Sequence, residues 1–171
     1  MLHAAVLRST EAHAEILSID INQARGAADV VAVYTGRDLD GKVGHIGAIR
    51  REGMGETPVP DHPVLALGRV RYVGQPVVMV IARTRAAAYD AREMIEVTYG
   101  PLPPLLDARI SATDASVLHE AIGTNVIMQA SAGAGEIDEA FQVADEIIEA
   151  TYDVPRLVAT PMECRGVVAQ Y

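Results

Sequence analysis

The chain has 171 residues, 50% of them hydrophobic, enough to bury one substantial core with a short appendage. A formal net charge of −9 repels a phosphate backbone, and six tyrosines, one phenylalanine and no tryptophan offer little to stack bases on, which argues against nucleic acid as a partner. The single cysteine, Cys164, excludes an intrachain disulfide framework, and residues 76–82, the longest strongly apolar run, fall far short of the roughly 20 that a membrane span requires.

The start shows no charged stretch followed by an apolar leader, so a reducing, cytoplasmic setting is expected. Residues 2–8 read as a strand. Residues 13–21 alternate as a second, adjacent strand would, with Ala14, Ile16, Ser18 and Asp20 on one side and Glu15, Leu17, Ile19 and Ile21 on the other. A short helix suits 22–28, and the Val-rich run at 30–34 predicts a third strand. From 36 to 62, glycine and proline accumulate around Lys42, Arg50 and Arg51, which predicts a long surface loop of the kind that carries function or moves.

After Pro63 the pattern tightens. Residues 64–67 and 69–73 read as short strands, Gly74, Gln75 and Pro76 as a turn, and 77–81 as a strand buried on both faces. Thr84 offers an N-cap to a helix running to about Glu96, whose stripe of Ala87, Ala88, Ala91, Met94 and Ile95 is predicted to cover the sheet. Strand returns at 97–99 before Gly100 and a run of prolines and leucines end regular structure. This places a first domain at 1–107, a linker with one helical turn at 108–124, and an incomplete segment at 125–171. Within that segment 125–130 and 146–154 read as strands and 136–144 as a short helix presenting Ile137, Ala140, Phe141 and Ala144 on one face. Residues 167–171 read as a strand that stops without a neighbour, so the expectation is that the chain was cut here or that a partner supplies the next strand.

Residues able to carry chemistry are sparse. Glu11 and His13 would share a strand face and could supply two metal ligands, but no third or fourth occurs at telling spacing. A polar outward face is the better reading, and no metal is assigned. His3, His45, His62 and His119 are scattered and read as solvated or core-edge side chains. One thiol cannot supply the roughly four that an iron–sulfur cluster needs, and Cys164 is expected to be buried and inert. Gly133 and Gly135 invite a dinucleotide reading, but the third glycine is missing and Glu136, Asp138 and Glu139 crowd the phosphate end with negative charge, so a turn is read there. Gly74 permits its turn, and Gln75 is placed to bond backbone across it. Glu163 and Arg165, two apart, share a face if extended, with ion pairs to neighbouring strands as the plainer reading. No nucleophile–base pair, acidic dyad or phosphate loop stands out, so no catalytic and no cofactor-binding residue is assigned.

Several phrases in order resemble one family. Residues 2–9, Leu-His-Ala-Ala-Val-Leu-Arg-Ser, resemble the family strand that precedes Pro-His-Ala-His-Ala-Arg-Ile; here that phrase runs from Thr10 to Ile16 and keeps only its second histidine, His13. Val30 to Gly36 resembles Val-Val-Ala-Val-x-Thr-Gly, and Val73-Gly74-Gln75-Pro76-Val77 is the best single match. Gly135 to Phe141 resembles Gly-Asp-x-Asp-x-Ala-Phe, and Pro161 to Gly166 resembles Pro-Met-Glu-Pro-Arg-Gly with Cys164 in place of the second proline. The family is the large, molybdenum subunit of the xanthine dehydrogenase, aldehyde oxidase and carbon monoxide dehydrogenase enzymes.

The resemblance implies an α+β fold: an α/β hammerhead domain, a mixed sheet with a covering helix, followed by an incomplete β/α segment of the molybdopterin-binding domain. It implies a structural part of a molybdenum-dependent hydroxylase or dehydrogenase that oxidises an aldehyde, an N-heterocycle or a similar small molecule with water as oxygen source. The chain alone would bind no cofactor and be inactive. In the complete enzyme the molybdopterin cofactor would lie in the remainder of the molybdenum subunit, with iron–sulfur clusters and FAD in partner domains or subunits. Gly74, Gln75, Glu163 and Arg165 would then sit at an interface or near the substrate funnel. The competing reading is a self-sufficient α/β module that binds a ligand or protein, or assists assembly, without catalysis.

Overall fold

A strand whose successive residues are all apolar needs cover on both faces, and the run after Pro76 finds it. The computed structural model describes residues 1–47, 58–114, 116–129, 131–155, 157, 160–164 and 166–170. It divides into two units, Met1–Ala130 and Ser131–Tyr171. In chain order the first unit contains β1 (His3–Arg8), β2 (Ala14–Asp20), α1 (Asn22–Gly26), β3 (Val30–Thr35), α2 (Gly36–Leu39), β4 (Arg69–Val70), β5 (Pro76–Ala82), α3 (Arg85–Glu93), β6 (Glu96–Pro101) and α4 (Ala108–Ser111). The α+β hammerhead expectation holds, but the strands form two three-stranded antiparallel sheets, β1-β5-β3 and β4-β2-β6, in place of one mixed sheet. The expected neighbours β1 and β2 therefore lie in different sheets.

β5 is the hub. Val77, Val78 and Val80 are completely buried, and because neighbouring residues of a strand point to opposite faces, Val77 and Val78 require cover on both. On one side α3 packs with Ala88 and Ala91, both fully buried, and these small residues let helix and sheet approach closely. Thr84 caps α3 as expected, its hydroxyl accepting the Ala87 N–H at 3.1 Å. The helix stops at Glu93, short of Glu96, with Met94 as C-cap and half exposed, so Met94 leaves the predicted stripe while Ile95 stays buried. Ala14, Val70, Ile16, Ile19, Val97 and Tyr99 of the second sheet join the same core.

The strict alternation predicted for β2 fails at Leu17. Ile16 pairs with Tyr99 and Ser18 with the next residue, Thr98, so Leu17 is an extra residue, a β-bulge. Beyond it the faces exchange: Ala14 and Ile16 point into the core before the bulge, Ile19 and Ile21 after it. Residues 64–67 are not a strand either. Leu65 and Ala66 are buried, but Ala66 N–H donates to the Pro76 carbonyl at 2.7 Å in an irregular crossing, and the following strand is only two residues long. The expected 36–62 loop opens instead with α2, where the Asp38 carboxylate accepts both the N–H and the hydroxyl of Thr35 at 2.7 Å. Those bonds hold the Asp38 carboxyl below its ordinary range. Arg50 and Arg51 lie outside the described residues.

In the second unit, α5 (Ile137–Val143) matches the predicted helix, and Gly135 ahead of it takes a left-handed φ of 75°, as a turn would. The strands expected at 125–130, 146–154 and 167–171 are absent among the described residues. A strand needs a neighbour to satisfy its N–H and C=O groups; every described residue from 131 to 170 is exposed, including Ile148, Tyr152, Val154 and Met162.

Two glycines separate steric from conformational demand. A Cβ on Gly36 would overlap the Ala66 carbonyl, whereas one on Gly26 would meet nothing. Gly36→Ala is expected to lower stability by about 1–3 kcal/mol through overpacking, and Gly26→Ala to leave it unchanged or raise it by about 0.5 kcal/mol; urea denaturation of the two variants checks both signs.

Candidate functional site

The turn between β4 and β5 is built around two residues singled out from sequence. Gly74 adopts φ 87°, which an L side chain would resist, and its N–H donates to the Ser9 carbonyl at 2.8 Å. Gln75 is buried, and its Oε1 accepts the Arg71 N–H at 2.7 Å, bonding backbone across the turn as the sequence suggested. Ser9 N–H donates to the Gln75 carbonyl at 2.8 Å, and Arg8 Nη1 to the Gly74 carbonyl at 2.9 Å. The turn is thus stitched to the end of β1 by side chain and backbone together.

His13 overturns the expectation of a polar outward face. It precedes β2 and is only 6% exposed. Ser9 bends the chain there, its hydroxyl donating to the Glu11 carbonyl and accepting the Glu11 N–H, so Glu11 and His13 are not strand neighbours. His13 Nδ1 lies 2.9 Å from the Pro103 carbonyl. A carbonyl can only accept, so Nδ1 carries the proton and, in the neutral ring, Nε2 is left as an acceptor. That Nε2 is buried without a partner. The Leu102 N–H donates to the His13 carbonyl at 2.9 Å, so the proline-rich exit of β6 is tied down by one residue through both backbone and ring.

A second group, not anticipated from sequence, gathers beside this turn. Arg69 bridges Glu120 at 2.5 Å and Glu15 at 2.9 Å, and Arg71 Nε donates to the Leu118 carbonyl at 2.8 Å. Asn125 closes the same stretch on itself: its Oδ1 accepts the Leu118 N–H and its Nδ2 donates to the Ser111 and Ser116 carbonyls. Asp107 caps α4, the one helical turn expected in the linker, by accepting the Arg109 N–H at 2.8 Å. His62 packs edge-on to Tyr72, with ring centroids 6.4 Å apart. His119 lies nearby, its proton affinity lowered first by burial and then by the charges of Arg71, His62 and His13. Burial likewise lowers that of Arg71, although a guanidinium keeps its charge at any physiological pH. The signal for this group lay in residues 51 apart, Arg69 and Glu120, which no local pattern connects.

A cleft of about 440 Å³ opens elsewhere in the first unit, between the bulged half of β2 and the starts of α1 and α2, with Leu17, Arg25, Arg37 and Leu67 on its walls. Of the remaining expected residues, Glu163 is exposed in the second unit, and Arg165 lies outside the described residues. Cys164 is exposed, contrary to the burial expected of it, since its surroundings form no core. Among the described residues no group of three or more His, Cys, Asp or Glu side chains is arranged to hold a metal ion. No helix among them is long and apolar enough to cross a membrane.

Residues 1–103 match the family model described as aldehyde oxidase and xanthine dehydrogenase, a/b hammerhead domain. The nicotine 6-hydroxylase large subunit of Paenarthrobacter nicotinovorans is 38% identical over 171 residues, 99% of this chain and 21% of that subunit. The nicotinate dehydrogenase large molybdopterin subunit of Eubacterium barkeri is 30% identical over 172 residues, 100% of this chain and 38% of that subunit. Among solved structures, quinoline 2-oxidoreductase from Pseudomonas putida 86 superimposes with a TM-score of 0.73 at 32% identity, over 85% of this chain and 18% of that one. The chain therefore spans about a fifth of the length of the nicotine 6-hydroxylase subunit it matches.

Replacing Gln75 by leucine keeps the volume but leaves the Arg71 N–H without its acceptor. The Gln75→Leu variant is expected to lose about 1–3 kcal/mol, the cost of an orphaned donor, read as a fall in the urea midpoint at unchanged slope.

Proposed function

The chain belongs to the aldehyde oxidase and xanthine dehydrogenase a/b hammerhead family, and from this premise we propose that it is the hammerhead portion, with the first stretch of the following domain, of a molybdenum-dependent hydroxylase. The observation that carries the reading is the unbroken likeness across 99% of the chain to a subunit of which it covers only 21%. Relatives are named for nicotine, nicotinate and quinoline and also for aldehydes, so the substrate proposed is an N-heterocycle, an aldehyde or a similar small molecule, hydroxylated with oxygen from water.

The chain's own residues do not fit the metal chemistry. Among the described residues there is no three-ligand cluster, and the lone thiol of Cys164 is exposed. No catalytic step is therefore derived through this chain. Its role in the proposal is architectural: a rigid two-sheet body presenting the Gly74–Gln75 turn, and a second unit carrying Glu163 and Arg165, to the remainder of the molybdenum subunit and to iron–sulfur and FAD-bearing partners. The exposed apolar side chains of the second unit support a partner, because Ile148, Tyr152 and Val154 gain roughly 1.5–3 kcal/mol each on full burial. A self-sufficient binding module would draw on the cleft beside β2 instead.

Producing the chain together with the proteins encoded beside it, purifying the product and measuring its metals by elemental analysis separates the two. Stoichiometric molybdenum and iron in a complex containing this chain is the expected result. A metal-free, cooperatively folding chain recovered alone would overturn the proposal in favour of a detached module.

A further inference from the structure

β2 is paired from end to end on one side, its bulged Leu17 apart, but over only part of its length on the other. β6 runs against it from Ala14 to Asp20, whereas β4 is two residues long and meets only Ala14 and Glu15. The Gly68 carbonyl still accepts the Ile16 N–H at 2.9 Å. There Gly68, at φ 70°, turns the chain, and two residues earlier the Ala66 N–H is already bonded to Pro76 of the other sheet. Among the described residues, 17–20 are therefore left with an open strand edge, a row of N–H and C=O groups able to bond another extended chain. The cleft of about 440 Å³ lies along this stretch, with Leu17 and Leu67 as exposed apolar walls and Arg25 of α1 and Arg37 of α2 as charged ones. No carboxylate among the described residues pairs with either guanidinium. Asp38, the carboxylate that lines the cleft, is held by the N–H and hydroxyl of Thr35, and Arg25 feels its charge without pairing to it. In a chain of net charge −9 the cleft is thus locally positive.

We infer that this edge takes up an extended, acidic segment of another protein chain as an added strand. The segment's backbone bonds to residues 17–20, its apolar side chains rest on Leu17 and Leu67, and its carboxylates meet Arg25 and Arg37. Main-chain bonds to the edge supply affinity in such an addition, and the walls supply the choice of partner. A small carboxylate would use the two arginines and leave the edge unbonded, whereas an extended segment uses both. The volume falls within the roughly 300–1,000 Å³ of ligand pockets, room for a few residues of chain and not for a folded domain. The inference rests on the first unit alone and goes beyond the architectural reading. Metal content decides that reading, and strand addition decides this one.

Titration of the full chain with a capped heptapeptide of alternating glutamate and valine, followed by amide hydrogen exchange, tests it. With the peptide at about ten times its Kd, exchange should slow about tenfold at those amides of residues 17–20 that are not bonded to β6, while the amides of β5 stay unchanged. The same peptide with every amide N-methylated, and one with lysine in place of glutamate, should give no protection. A chain carrying both Arg25→Glu and Arg37→Glu should bind the acidic peptide about tenfold more weakly or worse, as the loss of two exposed ion pairs implies, and should accept the lysine peptide. Both arginines are exposed, and β5 protection reports whether that variant is folded; the peptide series on the natural chain decides without it. No protection at residues 17–20, or equal protection by the N-methylated peptide or by N-acetylglutamate alone, would overturn the proposal. Protection that rises with the chain's own concentration in the absence of peptide would also overturn it, by assigning the edge to a second copy.

Discussion

The double-faced burial of β5 is the constraint from which the rest of the first unit follows. One strand with both faces apolar cannot be finished by a single layer, so α3 must cover one side and residues of the second sheet must share the core on the other. The small residues of α3, Ala88 and Ala91, and the β-branched residues of β5 meet this requirement with little side-chain entropy to lose. Because β5 is central in its sheet, the turn that feeds it is held wherever β5 is held. That is why the Gly74–Gln75 turn is fixed at both ends, by β5 on one side and by its bonds to Ser9 on the other.

Around that turn the fold changes its means of cohesion from apolar contact to hydrogen bonding. Ser9, His13 and Gln75 are the buried polar side chains of the first unit among the described residues, and each binds backbone: Ser9 and Gln75 within their own turns, His13 across to Pro103. Low polarity strengthens such bonds and makes their geometry strict. The neighbouring arginines extend the same logic outward, fastening a segment that has too few apolar residues to pack by itself. Cohesion at this corner is therefore polar, carried by ion pairs and hydrogen bonds, while that of the valine core behind it is apolar.

The elements legible in the sequence were those with a strong local period or a strong stop signal: the Pro76 strand, the Thr84-capped helix, the Val30 strand, and the helix after Gly135. Three of the family phrases, at Val30, Val73 and Gly135, lay on these same elements, so fold class and kinship were readable together. Three things were not. The split into two sheets depends on pairings such as Ala14 with Pro101, far apart in sequence. The inward turn of His13 depends on a serine-centred bend that breaks the strand just before it. The strands expected beyond residue 124 had the right composition but no neighbour to bond with, and composition alone does not make a ladder. At the site, Gly74 and Gln75 were legible because a tight turn constrains its own residues, whereas Arg69 and Arg71 act across 40 residues or more, and Asn125 within a loop with no period.

The bulge at Leu17 has a consequence for how this chain can vary. Its extra residue acts as a half-twist in the reading frame of β2, letting Ala14 and Ile16 on one side and Ile19 and Ile21 on the other reach the same core. Substitution at Leu17, which is largely exposed, is cheap. Loss of that one residue would leave Ile16, Ile19 and Ile21 two apart, the regular alternation of an unbulged strand, with the same side chains inward and the same partners opposite. The position therefore tolerates a change of letter and a change of count alike, so descendants of this sequence are free both in what stands at 17 and in whether anything does.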